Sequence, residues 1–515
     1  MMAVFNRTLI DIESFMQEQG FYYSKEQIYD FYISLKTKPF LILSGISGSG
    51  KSKIAELFAE YMGKAYEVND NYELVAVKPN WTDSRGVFGY HNVLNDTYSI
   101  TDVVKLFIRA LQNPEKPYFL VLDEMNLAKV EHYFSDFLSV LESRRYDNSS
   151  FSDKVIANYG QTMTLSQAII LVALEKENNQ FESLDYFRDH PIIQWWQTNR
   201  SRTEDKKAQF RTELNQGRPT DKFLNSDLKL DGKRLAGRAF FAQREGNSYK
   251  LKSPSEMDAK TLEQYEEVRQ MFDFISKNSI KQKKITLHNS NLFLKTEPNQ
   301  KDFKYDSDIN LYDEDDGYYV PSEIQIPLNV FVIGTVNVDE TTYMFSPKVL
   351  DRSNVIEFND VDLYHAFAYG EKTDVNSVIS VAESTVFDMK VTLATSEDTK
   401  RFIKNYSENF DVLVQINEVL KEKNRHFGYR VFNEISSFIL NYCSLNLGKD
   451  EVFAALDLQI LQKVLPKING SYDELGNLLN DIKEICEKNF MSRTSRKIER
   501  MLVSLANSGY TTFIE

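Results

Sequence analysis

The stretch that decides the fold is PFLILSGISGSGKSKIAELFAEYM, residues 39–62. Its first apolar residues predict a short buried strand over 39–44, and the apolar spacing after residue 52 predicts an amphipathic helix. Between them lies the pattern Gly45-x-x-x-x-Gly50-Lys51-Ser52. A phosphate chain needs several backbone N–H groups that converge at a helix N-terminus, and glycines leave room for its approach. A chance glycine-rich turn is the alternative, but a strand directly before the pattern and a helix directly after it favour a phosphate-binding loop.

Each residue type in this loop has an expected task. Lys51 would reach the β- and γ-phosphates, and the Ser52 hydroxyl would bind Mg²⁺. The other nucleotide-binding residues that we predict lie in the same loop and are Gly45, Ser47, Gly48, Ser49 and Gly50.

A second motif follows the apolar run YFLVL at 118–122 and consists of Asp123 and Glu124. In open parallel sheets, ligands bind at the carboxyl ends of the strands. We therefore expect Asp123 to bind the nucleotide's Mg²⁺, and Glu124 to orient or deprotonate an attacking water. The alternative is a solvated turn after a strand. Together, the two motifs predict a Mg²⁺-dependent nucleoside triphosphatase.

Two further residues stand at the ends of later segments. Asn337 ends an apolar strand at 329–337, where its amide could contact the γ-phosphate or the attacking water. Arg352 precedes another apolar strand, and phosphoryl transfer favours a guanidinium that is often delivered by a neighbouring subunit. Taken alone, Asn337 could cap a turn and Arg352 could be a surface arginine.

The order of the segments predicts an α/β protein with a parallel sheet. About 180 residues separate a helix ending near Arg145 from the strand at 329, whereas one strand–helix–strand step needs only about 30. We therefore expect a large insertion. From about residue 400 the pattern is helical. The expected domains are a helical lead-in at 1–37, a core in two parts at 38–145 and 321–360, an inserted domain at 146–320, and a connector with a helical lid at 361–515.

Charge and cysteine content exclude some classes of protein, and the apolar pattern indicates the compartment. The net charge of −14 excludes a uniformly basic nucleic-acid coat, and two cysteines exclude a disulfide framework. No apolar run is long enough for a membrane span and no export signal is visible, so we expect a cytoplasmic protein without membrane contact. Residues 200–252 carry 14 Lys and Arg against 7 Asp and Glu, a net charge of +7. This stretch could contact DNA or could be a solvated surface.

Several stretches together resemble the McrB-like AAA+ NTPases, the motor subunits of modification-dependent restriction systems. The resemblance covers the predicted core and lid but not the insertion. It rests on LKTKPFLILSGISGSGKSKIAELFAEY, on LDEMNLAKVEHYFSDFLSVLES at 122–143, on GTVNVDETTYMFSPKVLDRSNVIEF at 334–358 and on RHFGYRVFNEI at 425–435. Two more matches are LQILQKVLPKINGS at 458–471 and the C-terminal KIERMLVSLANSGYTTF. It implies a P-loop AAA+ core, interrupted by the insertion and followed by an all-helical lid.

The resemblance also implies roles. The residues of the 45–52 loop would form Walker A, Asp123 and Glu124 Walker B, and Asn337 sensor 1. Arg352 would be the arginine finger and Arg430 the sensor-2 residue. Because the finger acts on a neighbouring subunit, the resemblance implies a ring, expected to be a hexamer. DNA cleavage would belong to a separate McrC-like nuclease. The segments 81–83 and 86–91 lie where such proteins place loops that face a substrate or a pore.

The chain departs from this family in one motif. Members that use GTP carry MNTADRS after the sensor strand, whereas this chain has VNVDETT at 336–342. ATP and GTP therefore both stay open as the nucleotide. Two other functions also stay open: a protein-remodelling chaperone whose insertion docks a protein client, and a nucleotide-gated scaffold that activates a nuclease.

Overall fold

The computed structural model describes residues 7–94, 97–146, 150–159, 165–175, 190–200, 280–289, 317–338, 343–359, 386–444 and 451–514, with shorter pieces between 180 and 313. By their contacts the residues cluster into two compact units. One unit comprises Met1–Arg144 and Gln282–Glu515, and the other comprises Arg145–Lys281. Residues 282–320, which the sequence assigned to the insertion, therefore cluster with the first unit.

The first unit contains a five-stranded parallel sheet. In chain order the strands are β1 (Phe40–Gly45), β2 (Tyr72–Ala76), β3 (Tyr118–Asp123), β4 (Val330–Asn337) and β5 (Asn354–Glu357). Their order across the sheet is β5-β1-β4-β3-β2. Gly45 pairs with Asn337 and Ala76 pairs with Asp123, so the strand ends meet at one carboxyl edge.

The apolar runs form the strands because this sheet is covered on both faces. Residues 40–43 of β1 and residues 119–122 of β3 are fully buried. Strand β2 is only five residues long, and its side chains are half-buried or exposed. It lies at the edge of the sheet, where one side has no neighbouring strand.

Helices connect the strands of this unit. Ser24 and Gln27 form a capping box at the start of a helix. The predicted long helix after β3 is interrupted at Phe134. This interruption lets Phe134 stack on Phe137 with the ring centroids 4.3 Å apart. The helices are α1 (Leu9–Glu18), α2 (Lys25–Thr37), α3 (Lys51–Tyr66), α4 (Asp102–Gln112) and α5 (Ser135–Ser143), with short turns at Arg85–Phe88, Val130–Tyr133 and Pro347–Leu350.

The second unit contains helices and short strands. Its helices are α6 (Phe151–Tyr159), α7 (Leu165–Glu175) and α8 (Pro191–Arg200). Gln180–Phe181, Ala242–Glu245 and Ser248–Leu251 form a small antiparallel sheet. Most of the basic stretch at 200–252 lies outside the described residues, so the structure leaves its DNA contact a prediction.

The C-terminal part of the first unit is mainly helical, as expected. Its helices are α9 (Ser396–Asn405), α10 (Ser407–Lys421), α11 (Tyr429–Cys443), α12 (Glu451–Gln459), α13 (Tyr472–Lys488) and α14 (Ser492–Ser508). Helix α12 continues as a π-helix over Ile460–Val464. In the part of the chain that the structure describes, every helix is too short or too polar to span a bilayer.

The expectation of an all-helical lid needs one correction. Asn469–Ser471 and Tyr510–Thr512 pair as a two-stranded antiparallel ribbon beside α13 and α14. Each strand has only three residues, which is too short for an alternating apolar pattern to reveal it. The ribbon joins the start of α13 to the end of α14 through the pairing of its two strands.

Candidate active site

The loop between β1 and α3 has the backbone of a phosphate cradle. Gly48 and Gly50 adopt left-handed conformations with φ of 78° and 90°, which side chains disfavour. A Cβ atom at Gly50 would also lie 2.8 Å from the Tyr23 hydroxyl oxygen. That hydroxyl donates a hydrogen bond to the Gly50 carbonyl across 2.9 Å. The N-terminal segment thus fixes the turn that starts α3.

Lys51 lies over this loop rather than in solvent. The residue is only 5% exposed, and its Nζ donates to the carbonyl oxygens of Gly45 and Ile46 at 2.9 and 2.6 Å. Residues 46–48 are exposed. The ammonium group is therefore held beside an open cradle, as a phosphate ligand would need.

Ser52 and Asp123 meet at the carboxyl edge of the sheet. The Ser52 hydroxyl donates to Asp123 Oδ1 across 2.8 Å, and the Thr335 hydroxyl donates to the same oxygen across 2.7 Å. A hydroxyl and a carboxylate from two elements are oxygen ligands of the kind that Mg²⁺ prefers. The residue types and their spacing fit the predicted Mg²⁺ site.

Glu124 is held in an unusual backbone conformation. Its φ of 53° is in the left-handed region, which costs a non-glycine residue on the order of 1–3 kcal/mol and tends to occur at functional sites. Its N–H donates to Thr335 Oγ1 across 3.0 Å, and its Oε1 accepts from Asn337 Nδ2 across 3.2 Å. Asn337 of β4 thus orients the carboxylate, and Thr335 of β4 holds the Glu124 backbone.

Three residues of this site were missed by sequence reasoning. They are Tyr23, Thr335 and Asn359, whose Oδ1 accepts from the Ile46 N–H across 3.3 Å. The only sequence signal was the position of Thr335, a hydroxyl side chain two residues before Asn337 in an otherwise apolar strand. Tyr23 and Asn359 are brought to the loop only by the fold.

Arg352 lies at the amino ends of the strands, opposite the carboxyl edge that carries the phosphate loop. It precedes β5, whose Asn354 pairs with Leu41 near the start of β1. The residue is 5% exposed; its Nη1 donates to the Lys348 carbonyl across 2.6 Å, and its Nη2 pairs with Glu142. Within one chain, Arg352 is therefore away from the phosphate loop, and a role on a neighbouring nucleotide stays a prediction.

Arg430 is not brought to the phosphate loop either. It stands at the start of α11, and its guanidinium contacts Asp351 at 2.8 Å and Glu142 at 3.2 Å. These are the immediate surroundings of Arg352. In this conformation Arg430 does not contact the loop of its own chain, which a sensor-2 residue acting within one chain would have to do.

Of the predicted substrate-facing segments, residues 81–83 are half-buried or exposed, whereas Val87 and Phe88 within 86–91 are buried. Trp81 packs edge-on against Tyr133, and Arg85 pairs with Asp83. Beyond Gly86–His91, the side chains of Val93 and Leu94 are 79% and 95% exposed. An apolar tip in solvent is compatible with contact to a substrate.

Comparison with known families agrees with this geometry. Residues 40–186 match the AAA domain of the dynein-related subfamily, a stretch that contains β1, β2 and β3. Residues 388–510 match a domain of unknown function, DUF8727. No curated protein matches the chain significantly. The family match, the parallel sheet with flanking helices and the phosphate-loop geometry identify residues 40–186 as part of an AAA+ ATPase domain with a P-loop NTPase fold.

Proposed function

We propose that the chain hydrolyses ATP or GTP in a Mg²⁺-dependent reaction at the carboxyl edge of its sheet. One observation carries the proposal: at the carboxyl edge of the sheet, Ser52 donates a hydrogen bond to Asp123 and Asn337 donates one to Glu124, while the buried Lys51 directly precedes Ser52. These are the residue types that phosphoryl transfer uses for phosphate binding, metal binding and water activation.

In this proposal each side chain has a defined task. The glycine-rich loop and Lys51 would bind the phosphates, and Ser52 and Asp123 would hold a Mg²⁺ that neutralises developing charge. Glu124, fixed by Thr335 and Asn337, accepts or orients the proton of the attacking water. The pre-formed hydrogen bonds reduce the reorganisation that the reaction requires.

We further propose that the chain acts as the motor or regulatory subunit of a prokaryotic DNA restriction or antiphage complex. AAA+ proteins commonly assemble into rings, and a hexamer would let Arg352 act between subunits. Cleavage would require a separate McrC-like nuclease. The support is the resemblance in core and lid, together with the +7 stretch at 200–252 in a chain of net charge −14.

The test is hydrolysis of ATP and GTP measured with and without duplex DNA over a range of salt concentrations. A DNA-contacting motor predicts stimulation by DNA that weakens as salt rises, because backbone contacts release counterions. The Lys51→Ala protein is the control for contaminating hydrolysis. Hydrolysis that is indifferent to DNA at all salt concentrations would contradict the DNA-directed role but not the hydrolysis itself.

A protein-remodelling chaperone, or a nucleotide-gated scaffold with a protein client, is the second candidate. The observation that favours it is the exposed apolar tip at Val93 and Leu94, since apolar side chains in solvent suit a grip on polypeptide. Replacing Leu94 with Ser should then lower client-stimulated hydrolysis and leave DNA stimulation unchanged. Unchanged client stimulation together with lowered DNA stimulation in this variant would contradict the chaperone role.

A further inference from the structure

Met125 directly follows Glu124 and is anchored in the core of the first unit. Its side chain is fully buried. It opens a single 3₁₀ turn, Met125–Leu127, which closes when the Leu127 N–H donates to the Glu124 carbonyl across 2.9 Å. The left-handed backbone of Glu124 therefore lies between strand β3 on one side and an anchored residue on the other.

Gly334 leaves the space that the Met125 side chain fills. This glycine lies in the middle of β4, where it pairs with Ile42 of β1 and Leu122 of β3. A Cβ atom at Gly334 would overlap Met125 Sδ and would lie 3.4 Å from Met125 Cβ and Cγ. Because a closely packed interior has few voids, the enclosed methionine could not move aside without disturbing its neighbours. A larger residue at position 334 would therefore displace Met125.

Tyr133 holds the backbone of the same methionine. Its hydroxyl donates to the Met125 carbonyl across 2.8 Å, and the side chains of both residues are fully buried. Burial raises the pKa of this hydroxyl well above its usual value of 10, so the group stays a protonated donor in any ordinary assay. Trp81 packs edge-on against the Tyr133 ring, with the ring centroids 5.3 Å apart, and fixes the ring in place.

These two contacts determine the backbone conformation of Glu124. Its φ of 53° is disfavoured for a residue with a side chain and persists only where the surroundings prevent relaxation. Relaxation would swing Met125 away from Gly334 and would break the hydrogen bond from Tyr133. The two β4 side chains that contact Glu124 hold its N–H and its carboxylate, but not the direction in which the chain leaves it.

We propose that Tyr133 and Gly334 are positioning residues for hydrolysis, which act through Met125 and keep the Glu124 carboxylate directed at the attacking water. This deepens the proposed function and rests on it, because it requires Glu124 to accept or orient the proton of that water. Neither residue belongs to the phosphate loop, so nucleotide affinity is independent of both.

Removing only the Tyr133 hydroxyl is the first test. Tyr133→Phe keeps the ring against Trp81 and should lower single-turnover hydrolysis roughly 3- to 10-fold, as expected for one lost hydrogen bond. The Kd of a non-hydrolysable nucleotide should stay the same. Tyr98→Phe is the matched control, because Tyr98 is similarly buried and donates to the Phe88 carbonyl across 2.9 Å. Normal hydrolysis by Tyr133→Phe, or an equal loss in both variants, would overturn the proposal.

A double-substitution cycle separates action through Glu124 from a general loss of structure. A carboxamide cannot accept the proton of the attacking water, so Tyr133→Phe should not lower the residual hydrolysis of Glu124→Gln any further. A further loss of roughly 3- to 10-fold in that background would show that Tyr133 acts independently of Glu124 and would overturn the proposal. Hydrolysis by Glu124→Gln at the unsubstituted rate would instead contradict the proposed function itself.

Substitutions at the packing contact give an independent test. Gly334→Ala should displace Met125 and lower hydrolysis several-fold at unchanged nucleotide affinity. Met125→Leu fills a similar volume and should retain most of the hydrolysis, whereas Met125→Ala leaves a cavity and should not. Melting temperatures show whether each variant is folded at the assay temperature, and Tyr133→Phe, the mildest change, decides if the others are not. Hydrolysis at the unsubstituted rate by both Gly334→Ala and Met125→Ala would overturn the proposal.

Discussion

Asn337 Nδ2 donates a hydrogen bond to Glu124 Oε1 across 3.2 Å, although 213 residues of chain separate the two. The bond connects the end of β4 with the residue that follows β3. It fixes the carboxylate of a residue whose backbone is already held in the left-handed region. The site therefore depends on the pairing of β3 with β4.

Replacing Asn337 with Ala should lower turnover by roughly 10- to 100-fold and leave nucleotide affinity nearly unchanged, because the amide orients Glu124 rather than the phosphates. Asn337→Asp should be at least as harmful, since it places a second carboxylate beside Glu124. The measurement is kcat and nucleotide Kd for both variants. A large loss of affinity with normal kcat would contradict the assignment.

Thr335→Val removes the hydroxyl that connects Asp123 with the Glu124 backbone and keeps the shape of the side chain. We expect a loss of kcat together with destabilisation of about 1 kcal/mol, since the half-buried Glu124 N–H loses its acceptor. Thr335→Ser retains the hydroxyl and should retain most of the activity. Equal kcat in the two variants would show that the hydroxyl has no role.

Gly50→Ala and Gly48→Ala separate backbone strain from steric contact. Both residues have left-handed φ, which costs alanine about 1 kcal/mol, but only at Gly50 would the new Cβ meet the Tyr23 hydroxyl. We therefore expect Gly50→Ala to weaken nucleotide binding more than Gly48→Ala. Calorimetric titration with a non-hydrolysable nucleotide measures this difference, and the reverse order would contradict it.

Glu434 predicts a pH dependence of stability. Burial opposes its charged form, but Lys38 and Lys463 outweigh that effect and lower its pKa from 4.5 to about 2. The folded state therefore binds fewer protons than the unfolded state between these values. Its stabilisation, on the order of 3 kcal/mol, is present above pH 4.5 and is lost as the pH falls toward 2.

Denaturant unfolding between pH 6 and pH 3.5 tests this for the unsubstituted protein and for Glu434→Gln. Below pH 4.5 the unsubstituted protein should lose stability more steeply than Glu434→Gln. The reason is that Glu434 takes up a proton on unfolding, whereas a glutamine at this position cannot. Identical slopes would show that the pKa of Glu434 is not lowered by its two lysines.

Local sequence predicted the parts of this site that lie within single motifs. The strand, loop and helix around Gly50 follow from apolar spacing and glycine placement. Asp123 and Glu124 were found because acidic residues directly follow a buried run. These features depend on residues a few positions apart.

The rest depends on contacts between distant segments. Thr335 and Asn359 reach the site through strand pairing across more than 200 residues. The sequence signals Thr335 only by its place in an apolar strand and gives no signal for Asn359. Arg430 shows the same difficulty. Its family resemblance suggested a sensor beside the phosphates, whereas the packing of α11 places it with Glu142 and Asp351. Which end of the sheet a lid helix approaches is decided by tertiary packing.

The most direct test of the central claim is nucleotide binding and turnover by Glu124→Gln, measured beside the unsubstituted protein and Lys51→Ala. We predict that Glu124→Gln binds ATP or GTP with near-normal affinity while its hydrolysis falls by about 10² or more. Lys51→Ala should lose both binding and hydrolysis. Normal turnover by Glu124→Gln would contradict the role of Glu124 and with it the proposed chemistry of this site.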